Sequence, residues 1–327
     1  MDDAILKVRD LKTYFFTRSG VVKAADGISF DLRKGETLCL VGESGCGKTV
    51  TALSILGLVD SPPGRIVGGE IWYHQEDLLR CSQERLRGIR GNRIAMIFQD
   101  PQSSLNPVFT VGDQIAEQIK LHRGLGERAA RERAVALMQQ VGIPGAENRA
   151  GEYPHQFSGG MKQRVLIAAA LSCDPEVLIA DEPTTALDVT IKAQILDILR
   201  RLKEERQMSL LFITHDLGVV AEIADRIVVM YGGRLAEAGT SLDIFDDPKH
   251  PYTWGLIDCL PDMSRVRDRL TPIPGTIPSL IDSPQSCIFH SRCPKGMPVC
   301  TQEMPPHILI SGEHRVVCQL YKDSREK

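Results

Sequence analysis

Apolar residues along the chain fall into solid runs, loose alternations and helical stripes, and their order predicts the fold. Ile5–Phe16 alternates loosely through Leu6, Val8 and Leu11 to Tyr14-Phe15-Phe16 and reads as a strand. Val21–Ala25 and Ile28–Leu32 read as two more, parted by an Asp26-Gly27 turn. Thr37–Val41 is a solid apolar run that predicts a buried strand, and Val50–Leu56 predicts the first turns of a helix, broken by Ser61-Pro62-Pro63-Gly64. Gly68–Tyr73 and Arg93–Gln99 are further strands, and the two prolines of the following loop, Asp100–Pro107, are expected to bar a helix. Val111–His122 and Glu127–Val141 carry apolar residues at helical spacing, and a long helix opens at Phe157–Met161 and stops at Asp174-Pro175. Val177–Glu182 and Ser209–Thr214 are solid apolar runs on either side of a helix at Thr190–Lys203. Arg226–Glu237 predicts a hairpin turning at Gly232-Gly233. From Asp246 onward prolines punctuate the chain, Pro248, Pro251, Pro261 and Pro272 among them, and predict a small loop-rich extension.

The architecture implied is α/β: a mixed β core, a helical subdomain at about 101–172, an antiparallel β subdomain and a small C-terminal cysteine-containing extension. The boundaries expected are 1–248 for the main domain and 249–327 for the extension. The 327 residues, 43% hydrophobic and 25% charged, suffice for a packed core of that size. A net charge of −3 and the lack of any Lys/Arg block argue against a nucleic-acid partner. No apolar run approaches the roughly 18 residues that span a bilayer, and Met1-Asp2-Asp3 is no leader, so the expectation is a soluble cytosolic chain.

The chemistry is concentrated first at Gly42-Glu43-Ser44-Gly45-Cys46-Gly47-Lys48-Thr49. A Gly-x-x-x-x-Gly-Lys-Thr segment between a buried strand and a helix is a phosphate loop. Its glycines let backbone N–H groups turn onto phosphate oxygens, and the helix N-terminus adds a favourable dipole. Lys48 is expected at the β- and γ-phosphates and the Thr49 hydroxyl at Mg²⁺. Cys46, at the same helix N-terminus, is expected to favour its thiolate, so that alkylation inhibits and bound nucleotide protects. The Val177–Glu182 run delivers two acids, Asp181 and Glu182, to a strand end, as a Mg²⁺-nucleotide site requires. His215 is delivered the same way by Ser209–Thr214. Ser158 is placed to cap the helix it opens, with Gly159 and Gly160 allowing close approach of a ligand.

The phosphate loop, Gln99, Phe157-Ser158-Gly159-Gly160-Met161, Asp181-Glu182, Ala186-Leu187-Asp188 and His215 stand in the order and spacing of an ABC transporter nucleotide-binding subunit, which residues 5–245 resemble. The resemblance implies an ATPase whose nucleotide touches Phe15 (Tyr14 being the alternative aromatic), Gly42 through Val50, Gln99 and His215. It implies Glu182 as the group that polarises the attacking water, His215 as a γ-phosphate switch, and Thr49, Gln99 and Asp181 around Mg²⁺. Ser158, Gly159, Gly160 and Asp188 would serve ATP held by an opposite subunit, so that two half-sites make one reaction centre. The signature usually ends in Gln; Met161 stands there instead and puts one of two composite sites in doubt. That variant, Phe98–Pro107 and His250-Pro251-Tyr252-Thr253 resemble the D-type of the two paired ATPase subunits in dipeptide and oligopeptide importers. The partners implied are a second ATPase chain in a heterodimer, two transmembrane permease subunits and an extracytoplasmic peptide-binding protein, with the chain peripheral on the cytoplasmic face of the inner membrane. Nickel importers share the architecture. A soluble ABC ATPase of DNA repair or translation would bring coiled-coil insertions or a second cassette, and a non-catalytic regulatory subunit would lack Glu182 and His215.

Nine cysteines include four crowded near the C-terminus, Cys287-x5-Cys293-x6-Cys300-x17-Cys318. Zinc ribbons prefer paired short spacings, whereas four irregularly spaced thiols suit an iron–sulfur cluster. Unligated thiols are the alternative. The resemblance implies a [4Fe–4S] cluster on these four, with His290 a surface residue.

Overall fold

The structure, a computed structural model, describes residues 3–185, 187–260, 273–281 and 283–326. Met1, Asp2, Ala186, Pro261 and Pro272, all invoked above, lie outside the described residues. In chain order the elements are β1 (Ala4–Thr17), β2 (Gly20–Arg33), β3 (Thr37–Val41), α1 (Lys48–Ile55), β4 (Gly64–Tyr73), β5 (Glu76–Asp77), α2 (Gln83–Ile89) and β6 (Ile94–Ile97). There follow α3 (Pro101–Ser104), α4 (Val111–Arg123), α5 (Glu127–Gln140), α6 (Ala146–Arg149), α7 (Gly159–Ala170), β7 (Val177–Asp181), α8 (Val189–Arg206) and β8 (Ser209–Thr214). The chain ends through α9 (Leu217–Ile223), β9 (Arg226–Tyr231), β10 (Arg234–Thr240), α10 (Ser241–Asp246), α11 (Pro251–Asp258), β11 (His307–Ser311) and β12 (His314–Val317).

Three expectations are corrected. Asp26-Gly27 is no turn: β2 runs through it, because Gly27 takes φ +87 inside the strand while the Asp26 N–H donates to Gly233 O at 2.7 Å. Pro101 does not bar a helix but begins one, α3. It sits where a helix needs no N–H, and Asp100 caps it by accepting from Gln102 N at 2.8 Å. Helix α1 stops at Ile55, before the Ser61–Gly64 segment, with Leu58 N closing onto Leu53 O.

The described chain divides into two compact units. The first comprises Met1–Leu32, Thr37–Leu79 and Ile213–Lys327. Its antiparallel layer has the order β2-β1-β4-β5, and its second layer runs β11-β12-β10-β9-β3, with β3 parallel to β9. All five residues of β3 are buried, so the strand entering the phosphate loop is anchored on every side. The extension is fastened here through Glu237 of β10, which is fully buried. Its carboxylate accepts from Lys249 N at 2.6 Å and His250 N at 2.9 Å and meets His314 Nε2 at 2.7 Å. His250 in turn caps α11 by accepting from Tyr252 N at 3.0 Å, with Pro251 at the first helical position. A small apolar cluster of Ile308, Val316 and Cys318, with Tyr321 against it, is the extension's own core.

The second unit comprises Arg33–Glu36 and Arg80–Phe212. It holds the order β8-β7-β6, with β6 parallel to β7 and Ile97 opposite Ala180, together with helices α2 to α8. Helices α4, α5 and α7 pack on one another through Ile115, Ile119, Ala130, Ala134, Leu137 and Val165, all buried.

Candidate active site

In the first unit the phosphate loop leaves β3 and wraps the start of α1. Gly42 lies so close to β9 that a Cβ there would stand 2.2 Å from Met230 O, and one on Gly47 would stand 1.9 Å from Ala24 O. Only glycine fits either place. Gly47 caps α1 without a side chain, so the first amides of the helix stay available to an anion. Lys48 is buried, and its ammonium donates to the carbonyls of Gly42 at 2.7 Å and Glu43 at 3.1 Å. Ser44 and Gly45 are exposed, and Thr49 and Val50 half-buried at the start of the helix. His215 stands exposed one residue past β8, ahead of Asp216, which caps α9 by accepting from Gly218 N at 2.9 Å. Phe15 is half-buried opposite Gly64 on β4, where a Cβ on Gly64 would stand 2.9 Å from the Phe15 ring. Tyr14 is committed elsewhere: its hydroxyl donates to Asp26 at 2.6 Å, and Asp26 is paired with Arg234 at 2.9 Å. Burial, then that bond, push the Tyr14 phenol well above its ordinary range.

Cys46 overturns one expectation. Its thiol is fully buried, and burial pushes its pKa up, outweighing the Lys48 ammonium 3.7 Å away. The thiolate is disfavoured, despite the helix N-terminus.

In the second unit, β7 is buried throughout and ends on Asp181, with Glu182 next in the chain and both buried. Glu182 holds φ +47, a backbone conformation that costs a non-glycine residue free energy and is met at working sites. One oxygen of its carboxylate accepts from Gln99 Nε2 at 3.2 Å and from the Thr185 hydroxyl at 2.9 Å. Gln99 and Glu182 are therefore brought together from the adjacent parallel strands β6 and β7. Thr185 went unread in the sequence, although a hydroxyl three residues past Glu182 was a usable signal.

Ser158 caps α7 by accepting from Met161 N at 3.4 Å, as its position predicted. Asp188 caps α8 by accepting from Ile191 N at 3.0 Å. Ser158, Gly159 and Asp188 are exposed. The two helix starts touch where Gly160 meets Ile191: a Cβ on Gly160 would stand 2.7 Å from Ile191 Cγ2.

The four C-terminal cysteines, in the first unit, lie near enough to act on one another's charge. Cys287 N donates to Cys300 O at 3.0 Å, and His290 is half-buried, its Nδ1 2.7 Å from Cys287 O. Burial raises the pKa of Cys287, Cys293 and Cys318, the last to about 11. Among the described residues no disulfide joins any cysteine, and no three His, Cys, Asp or Glu side chains converge on a single metal ion.

Residues 25–185 match the family model described as ABC transporter, and residues 236–300 match that of the oligopeptide/dipeptide transporter C-terminal region. The chain is 49% identical to the dipeptide transport ATP-binding protein DppD of Bacillus subtilis over 99% of its own length and 97% of the relative's. The chain belongs to the ABC transporter family. It is 48% identical to the oligopeptide transport ATP-binding protein AppD of the same organism, over 98% of this chain and 97% of that one. Among solved structures, the post-hydrolysis dimer of the ATP-binding cassette MJ0796 bound to ADP and Pi is similar, with a TM-score of 0.65 at 27% identity. The match covers 72% of this chain and 98% of that one. The fold is thus that of an ABC ATPase, and the chain is an ATP-hydrolysing member of the family. Among the described residues no helix is long and apolar enough to cross a membrane.

Proposed function

We propose that this chain is the ATP-hydrolysing subunit of an ABC importer that energises uptake of dipeptides and oligopeptides from the cytoplasmic face of the cytoplasmic membrane. The observation that carries the reading is near end-to-end similarity to peptide-transport ATP-binding proteins, the oligopeptide/dipeptide C-terminal region included. In the mechanism, the loop amides and Lys48 hold the phosphates, and Phe15 stacks on the adenine. Glu182, oriented by Gln99 and Thr185, takes a proton from the attacking water, and His215 senses the γ-phosphate. The Thr49 hydroxyl, Gln99 and Asp181 are oxygen donors of the kind Mg²⁺ prefers, and with Gln99 Nε2 spent on Glu182, Oε1 is the Gln99 atom that suits a cation. Mg²⁺ held by such donors would supply charge neutralisation for the phosphates.

The exposure of Ser158, Gly159 and Asp188 supports their use across a dimer of ATPase chains, a heterodimer with a second subunit in this reading. Phe98, Val108, Phe109 and Tyr153 of the second unit expose 42%, 70%, 54% and 40% of their surface, an apolar set fit to meet permease subunits on either side of the loop after Gln99. An extracytoplasmic binding protein delivers the peptide. Residues 249–327 form the peptide-importer type of extension, and its thiols Cys287, Cys293, Cys300 and Cys318 would hold a [4Fe–4S] cluster. The donor set fits in its chemistry: four thiols, none tied up in a disulfide among the described residues, are the ligands that iron–sulfur clusters take. Such a cluster would cross-link a segment whose own apolar core is small.

The test is ATPase activity of the chain reconstituted with its permeases. Stimulation by binding protein loaded with dipeptide is expected; stimulation by a nickel-loaded protein alone would transfer the reading to nickel import. Anaerobic purification tests the thiols separately. Roughly four irons per chain with matching sulfide are expected, lost in Cys293→Ser. Iron-free protein would remove the cluster and leave the ATPase reading intact.

A further inference from the structure

Glu43, the first variable residue of the phosphate loop, is held at three points, and two of the holders come from the C-terminal extension. Its backbone N–H donates to the Tyr252 hydroxyl on α11 at 2.8 Å. Its carboxylate receives Arg292 through both terminal nitrogens, Nη1 to Oε2 at 2.6 Å and Nη2 to Oε1 at 3.0 Å. Its carbonyl accepts from Lys48 Nζ at 3.1 Å. One residue therefore connects the extension directly to the phosphate-binding lysine.

The grip is rigid. All five N–H groups of Arg292 have acceptors: Pro274 O at 2.9 Å, Ile273 O at 3.2 Å, the Tyr231 hydroxyl at 3.2 Å and the two Glu43 oxygens. Its side chain is only 5% exposed, so the pair with Glu43 is largely shielded from solvent and its fork geometry is fixed. Tyr252 is fully buried among Tyr231 and Phe289, with ring centroids 4.7 and 5.4 Å away. On the far side of the loop, Gly233 N donates to Cys46 O at 3.0 Å, so the loop is clamped at both Glu43 and Cys46. The extension has a separate fastening through Glu237, His314 and the Ile308–Val316 cluster.

We propose that Arg292 and Tyr252 are positioning residues of the ATP site: the extension, through Glu43, sets the loop geometry in which Lys48 and the loop amides receive phosphate, and so sets nucleotide affinity. Neither touches the nucleotide. Arg292 immediately precedes Cys293, so the segment carrying the tail thiols also carries the guanidinium that holds the loop.

The test is a double-mutant cycle on the full chain, reading the Kd of a fluorescent non-hydrolysable ATP analogue with Mg²⁺, alongside the thermal midpoint of the nucleotide-free protein. Arg292→Met and Glu43→Ala should each weaken binding roughly tenfold, the scale on which a misplaced binding group is felt. The double variant should be no weaker than either single one, because both changes break the same link. A Kd within twofold of the parent for Arg292→Met, or losses that multiply in the double variant, would overturn the proposal. Tyr252→Phe removes one oxygen and keeps the packing, so it decides the matter if Arg292→Met does not fold: weakened binding at an unchanged midpoint supports the positioning role, and unchanged binding overturns it.

Discussion

Gln99 Nε2 stands 3.2 Å from Glu182 Oε2, and the Thr185 hydroxyl approaches the same oxygen at 2.9 Å. One oxygen of the acid is thereby fixed by two donors, and its backbone is held at φ +47. An amide in its place keeps the shape but cannot accept a proton. Glu182→Gln should lower the hydrolysis rate by about 10² to 10⁴, the usual worth of a general base, while ATP affinity stays near the parent's. Single-turnover phosphate release measured beside equilibrium binding separates the two. A retained rate would move the base elsewhere. Thr185→Val removes one of the two orienting bonds and should cost roughly tenfold in the same rate.

Gly160 is fixed by packing as well as by its place in the signature. A methyl there gains helix propensity of about 1 kcal/mol but drives into Ile191 Cγ2. Overpacking of this kind costs about 1–3 kcal/mol, so Gly160→Ala should lower the urea midpoint. Adding Ile191→Ala should restore part of the stability by opening the space. ATPase activity should stay depressed in that pair if the bare glycine backbone itself is what a partner chain's ATP requires. Recovery of both together would reduce Gly160 to a packing residue.

Local pattern made much of this site legible. The solid run Thr37–Val41 became β3 with its bounds unchanged, and the following Gly-Lys-Thr opened α1, because a buried strand and a phosphate loop each leave a short, dense signature. Ser158 could be read as a cap for the same reason. What escaped was long-range. Asp26 looked like a turn residue beside Gly27, but its backbone bond to Gly233 and its side-chain contacts with Tyr14 and with Arg234, 208 positions away, hold it within β2. The prolines after Gln99 were read as helix breakers, although Pro101 sits at the one helical position that welcomes proline. Arg292 and Glu43 are 249 residues apart, and nothing around an arginine in a cysteine-rich tail says that it ends on the phosphate loop.

Cys46 tests how far burial outweighs a helix dipole. The thiol is fully buried and its pKa raised, so both access and thiolate fraction are low. Alkylation of the native protein at neutral pH should label Cys46 at least about tenfold more slowly than the half-buried Cys81 and Cys259, since reactivity follows thiolate and exposure. Peptide mapping by mass spectrometry after timed quenching gives the order. Rapid loss of ATPase activity tracking Cys46 modification would restore the favoured thiolate first expected there.

His250 makes the attachment of the extension sensitive to acid. Its ring is fully buried, with Glu237, Tyr252 and Phe289 around it and His314 across the Glu237 carboxylate. Burial pushes its pKa down to about 4, only partly opposed by Glu237. In the unfolded chain the same imidazole titrates near ~6.5. Between those values the unfolded state binds the extra proton, so the stability is present above about pH 6.5 and is lost as pH falls towards 4. The full span corresponds to about 3 kcal/mol, of which about 2 should be gone by pH 5. His250→Asn keeps an oxygen able to accept from Tyr252 N and removes the titration. Urea unfolding at pH 7.5 and pH 5 should therefore show a smaller pH loss in the variant than in the parent, by about 2 kcal/mol. Equal losses in both proteins would leave His250 a cap alone, with no part in the acid sensitivity.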